Sequence, residues 1–133
     1  MRKLRVALEI GLGFCGTGLA VGIAVAQIAL PTTRPLEGAA LFKQQCGTCH
    51  TTSLSEPPRQ GPSLAKVIGQ KAGGVEGFHY SPGFAQADFV WDEGKLDEWL
   101  MNPQAVIPGA IMTYREARPE IRAAIITYLK GLS

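Results

Sequence analysis

The chain has 133 residues, single-domain length, with 46% hydrophobic and 18% charged residues. That mix is too apolar for a disordered chain. The formal charge of +2 is concentrated at the start: Arg2, Lys3 and Arg5 precede a stretch from Ile10 to Leu30 with no charged residue. Without residues 1–30 the 13 basic residues fall to 10, and the loss of Glu9 takes the 11 acidic ones to 10. The remainder is neutral, and with no basic patch to meet phosphates, nucleic acid is excluded as a partner.

The charge-free stretch would span roughly 31 Å as a helix, about the thickness of a bilayer core. It fits two readings. Its basic start, apolar middle and Ala24-Val25-Ala26 suit a cleaved secretory signal. Its length and its glycines suit a retained membrane anchor. Either one exports the rest of the chain. Residues 1–30 are therefore assigned as signal peptide or anchor, 31–35 as a short linker bounded by Pro31 and Pro35, and 36–133 as the working domain.

Within that domain a helical pattern runs from Leu36 to about Cys46. Thr51 to Pro62 reads as loop, Leu64 to Ile68 as a short helix, and Gly69 to Phe89 as a long loop. A loop of that length in a small domain has to wrap something. Lys95 to Asn102 is predicted helical and stopped by Pro103. Ala105 to Thr113 is another loop rich in Pro and Gly. The last helix starts near Pro119, a residue suited to a first helical position. Ile121, Ala124, Ile125, Tyr128, Leu129 and Leu132 form its apolar stripe. Three short helices are too little core for about 100 residues, so a large apolar cofactor is expected to supply the rest.

Cys46-Gly-Thr-Cys49-His50 says which one. In C-x-x-C-H the two thiols lie about one turn apart and can both bond to haem vinyl groups, while the histidine becomes the proximal iron ligand. A thioredoxin-like site would need a βαβ setting, and a zinc site a second Cys or His pair; neither is present. The expected cofactor is thus one covalent haem c, through Cys46 and Cys49. The second axial ligand has three candidates. Met112 comes first because it lies in a Pro-Gly loop that can turn a thioether inward; His79 and Met101 are the others. Six-coordinate iron has no open position for substrate, so no enzyme activity is expected.

With these motifs in view, the sequence resembles the class I cytochromes c of the mitochondrial and bacterial c2 type, from about Gly38 to Lys130. Gly38 and Phe42 match the N-terminal helix that packs on the C-terminal one, here through Ile125 and Tyr128. Gly61-Pro62-Ser-Leu64 matches the segment whose proline carbonyl orients the proximal histidine. Tyr80 and Trp91 match residues beside the haem propionates, and Asn102-Pro103 with Pro108-Gly109 matches the segment delivering the sulfur ligand. Tyr114 stands where the family has an aromatic at the haem edge. The spacing from Cys46 to Met112 matches without a gap.

The resemblance implies an all-α class I cytochrome c fold, with three main helices and long loops around one haem c. The iron ligands would be His50 and Met112, and Pro62, Tyr80 and Trp91 would line the cofactor site. The implied work is one-electron shuttling in the periplasm between a bc1-type donor and an oxidase or reaction-centre acceptor, with membrane attachment if the N-terminal segment is kept. A fixed haem subunit of a membrane dehydrogenase or oxidase, and a ligand-binding haem sensor, are the alternatives. Several positions depart from the family: Gln70 for a common Arg, Phe84 for Asn, Trp99 for Tyr and Ala110 for Thr. Trp99 is expected to be a core-packing residue. Gln44, Gln45, Gln104 and Ala105 stand where basic residues are common in the family's docking ring.

Overall fold

A computed structural model describes residues 37–132; the proposed signal or anchor, the linker, Leu36 at the predicted start of the first helix, and residue 133 lie outside them. Among the described residues no helix is long and apolar enough to cross a membrane. The described residues form four helices, in chain order: α1 Gly38–Gln45, α2 Glu93–Met101, α3 Pro103–Val106 and α4 Pro119–Lys130. The described residues contain no strand beyond one antiparallel bridge between Lys71 and Val90, so the all-α expectation holds.

Local chemistry sets each boundary. Asp92 caps α2, its Oδ1 accepting the Lys95 N–H at 2.6 Å, as an N-cap carboxylate should. The helix ends because Pro103 lacks an N–H and forces its predecessor into extended backbone; Asn102 has φ −157° and ψ 92°. Pro103 then opens α3, so part of the expected 105–113 loop is helical. Pro119 occupies the first turn of α4, with Glu120 beside it and Lys130 in the last turn, both favourable to the helix dipole.

The helix expected over Leu64–Ile68 is absent; the segment is made of turns. Lys66 sits at φ +56°, left-handed backbone that no α-helix passes through. The long 69–89 segment is loop except for a 3-10 turn at Pro82–Gln86.

α4 packs against both α1 and α2. At its crossing with α1, a Cβ added to Gly38 would collide with the Ala124 carbonyl oxygen; only glycine allows that approach. One turn along, the Phe42 and Tyr128 rings lie 5.5 Å apart in a tilted pair. Contact on two sides makes the buried face of α4 wider than the single predicted stripe. It takes in Ile126 and Arg122 as well as Ile121, Ile125 and Leu129, whereas Tyr128 and Ala124 remain half-buried.

The burial of Arg122 is resolved by hydrogen bonding, as a buried cation requires. Its Nε and Nη2 donate to the two Asp97 carboxylate oxygens at 2.7 and 3.1 Å. Its Nη1 donates to the carbonyls of Glu116 and Ala117, both at 3.0 Å. The Glu116 N–H in turn donates to the Leu100 carbonyl at 2.8 Å. These bonds tie the chain beyond Met112 back onto α2 and close the base of the loop that carries that methionine.

Candidate functional site

The middle of the domain is a cavity of about 290 Å³, the scale of a small-molecule site and not of a packing void. Its walls include Leu96, Trp99 and Leu100 of α2, Ile125 and Leu129 of α4, and the C-x-x-C-H turn. All seven residues singled out from the sequence border it: Cys46, Cys49, His50, Pro62, Tyr80, Trp91 and Met112. His79 also lines it but is exposed, while Met101 is outside the lining and 51% exposed.

The cysteine turn is built by backbone bonding. The Cys46 carbonyl accepts the N–H of both Cys49, at 3.0 Å, and His50, at 2.9 Å. That tight turn directs both thiols and the imidazole to the cavity. Cys46 is buried and Cys49 half-buried. Burial, with Cys49 adding, pushes the Cys46 thiol up to about 11.

His50 is held in one orientation. Its Nδ1 lies 2.8 Å from the Pro62 carbonyl oxygen. A carbonyl can only accept, so Nδ1 carries the proton and Nε2 keeps a free lone pair, the form in which imidazole binds a metal. Burial lowers the imidazole's affinity for a second proton, and the bond to Pro62 opposes that in part. Gly61 is the other half of this support. A Cβ there would collide with the His50 ring, so only glycine lets the backbone lie against the imidazole.

On the methionine side, Trp99 packs in the core as expected from sequence and also makes a polar contact. It is 7% exposed, and its indole N–H donates to Met112 Sδ at 3.1 Å. Trp99 belongs to a chain of aromatic contacts, with Trp91 at 5.4 Å and Phe84 at 5.8 Å between centroids. Phe84 reaches Tyr80 at 4.7 Å. The bulky Phe84 and Trp99, departures from the resemblance, thus fill one wall with ring faces.

Polar groups are few and placed. The Tyr80 hydroxyl accepts the Val75 N–H at 3.2 Å, which leaves its own proton free to donate. Burial raises its pKa, an effect that bond partly offsets. Ser81 borders the same cavity, and its buried Oγ has no hydrogen-bond partner in the protein. An orphaned buried hydroxyl is uncommon and signals a missing polar group. Sequence reading did not single out Ser81; its place next to Tyr80 was the available signal. The Tyr114 hydroxyl donates to Gln45 Oε1, joining the methionine loop to α1. Burial first, then the Glu116 charge, pushes that phenol up to about 12.

These features fit a covalently held haem: two thiols on one wall, a histidine with its metal-facing lone pair free, aromatic walls, and an unpaired hydroxyl for a polar substituent.

Sequence comparison with known proteins points to the same cofactor. Residues 36–133 match the family model described as cytochrome c. The chain is 40% identical to cytochrome c2 of Rhodomicrobium vannielii over 96 residues, 71% of this chain and 76% of that protein. It is 35% identical to cytochrome c of Ulva intestinalis over 101 residues, 75% of this chain and 91% of the relative. The match to cytochrome c of Ginkgo biloba is 36% over 101 residues, covering 75% and 89%. Motif, fold and relatives converge: the chain belongs to the cytochrome c family, as a class I monohaem member that binds haem c covalently through Cys46 and Cys49 and serves as a haem-based electron carrier.

Proposed function

We propose that His50 and Met112 are the two axial iron ligands and that the protein relays single electrons without catalysing a reaction of its own. The observation that carries this reading is the pairing of supports on the two ligand side chains. The Pro62 carbonyl fixes the His50 tautomer, and the Trp99 N–H engages one lone pair of the Met112 sulfur, leaving the other for a metal. When bound, haem c supplies a one-electron iron couple, and His/Met ligation raises its potential. The protein's own part is to orient these two ligands, exclude water with its aromatic walls, and offer Tyr80, Trp91 and Ser81 to the propionates. An iron with both axial positions filled has none for substrate, which favours a carrier over an enzyme.

The working place we assign is the periplasm, reached by the N-terminal segment as a cleaved signal or a retained anchor. The donor would be a bc1-type complex, and the acceptor an oxidase or reaction centre. The test is a redox titration of the holoprotein. A reversible one-electron Nernst curve, with no carbon monoxide binding to the reduced form, is expected. Rapid carbon monoxide binding at neutral pH would mean an open or labile sixth position and would overturn the carrier reading in favour of a ligand-binding one.

A further inference from the structure

From Trp99 to Tyr114 the chain has no charged residue. Much of that stretch is on the surface: Met101 is 51% and Ile111 75% exposed, and Gln104, Ala105, Pro108, Gly109 and Thr113 are exposed as well. Single apolar residues at a surface mean little. A whole segment without a charge is different when it adjoins the cofactor cavity, and here Ile111 and Thr113 belong to both. The cavity lining nearest in sequence to the C-x-x-C-H turn continues the pattern, with Gln45, Cys49 and Gln60. Two nearby cations are already matched within the chain. Arg59 meets Glu56 at 3.1 Å, and Lys71 meets Asp88 at 3.1 Å.

We propose that the segment from Met101 to Thr113 is the docking face for a redox partner whose own electron-entry surface is uncharged and largely apolar, with Ile111 at the contact centre. This rests on the electron-carrier reading and names the kind of partner that reading requires. Charge complementarity decides the chemistry. An acidic or basic partner patch pressed against this segment would lose hydration and gain no counter-charge. An apolar patch would gain from excluding water at Ile111 and Met101. Electron-transfer interfaces are small, under about 1,200 Å², so one segment of this length is enough.

The experiment uses the reduced holoprotein and three oxidants. Anionic hexacyanoferrate and a cationic tris-phenanthroline cobalt complex read the local potential; membranes of the cell that makes the protein supply the partner. Rates are followed from about 10 to 300 mM ionic strength, over which the screening length shrinks several-fold. With wild type, each rate should change by no more than about threefold. Ile111→Lys and Ile111→Asp should both slow the membrane reaction by about tenfold, and Ala105→Lys, an exposed position on α3 outside the cavity lining, should slow it in the same direction. Acceleration by one sign of charge would reveal an oppositely charged partner and overturn the proposal. Unchanged rates in all three variants would show that docking occurs elsewhere. Self-association of the wild type that Ile111→Lys abolishes, or its binding to uncharged phosphatidylcholine vesicles, would reassign the face to a second copy or to lipid. Failure of the wild type to reduce hexacyanoferrate at all would instead refute the electron-carrier reading itself.

Discussion

The indole N–H of Trp99 donates to the sulfur of Met112 at 3.1 Å. A thioether that accepts a hydrogen bond has less electron density to give a metal, which favours the reduced iron. Trp99→Phe removes the donor and keeps an aromatic wall. A hydrogen bond contributes about 0.5–1.5 kcal/mol net, so the reduction potential should fall by about 20–60 mV, given that 59 mV is a tenfold change for one electron. Trp99→Tyr, which retains a donor, should lie closer to wild type. Equal potentials in wild type and Trp99→Phe, by redox titration, would show that the bond does not act on the iron.

Gly61→Ala places a methyl group where the His50 ring lies. Overpacking of this kind costs about 1–3 kcal/mol, and here the group displaced is the imidazole. Denaturant unfolding of the holoprotein should show a lowered midpoint, and the haem spectrum a perturbed ligand field. A purely structural clash would lower the midpoint and leave the spectrum unchanged.

Acid should weaken the fold through Glu116. Its carboxylate accepts from the Arg118 side chain at 2.8 Å through both oxygens and from the Arg118 backbone at 3.0 Å. Those bonds to Arg118 hold it at about 2, against an ordinary 4.5. A depressed carboxylate favours the folded state above its unfolded value, and that contribution is lost as pH falls through the folded one. Stability should therefore decline between about pH 4.5 and 2, and Glu116→Gln should flatten that part of the curve. The check is urea midpoints measured across this window.

The sequence disclosed the chemistry better than its supports. Cys46, Cys49 and His50 were legible because C-x-x-C-H is a local pattern with a fixed covalent purpose. α4 was legible because Pro119 and an apolar period mark it. Periodicity was silent on Arg122 because a charged residue in a helix is read as solvent-facing, and only the three-dimensional positions of Asp97 and two carbonyls make its burial tolerable. The missing helix at Leu64–Ile68 fails at Lys66, whose left-handed backbone is not announced by a lysine in the sequence. Trp99 was legible as a large buried side chain, but the direction of its N–H depends on where the methionine loop folds back, a relation between residues 13 apart in sequence.

The most direct test of the account is the assignment of the iron's sulfur ligand by near-infrared absorption of the oxidised holoprotein. The ferric sulfur–iron charge-transfer band should be present in wild type, Met101→Ala and His79→Ala, and absent in Met112→Ala, whose reduced form should also bind carbon monoxide. Retention of that band in Met112→Ala, with its loss in Met101→Ala, would contradict the assignment.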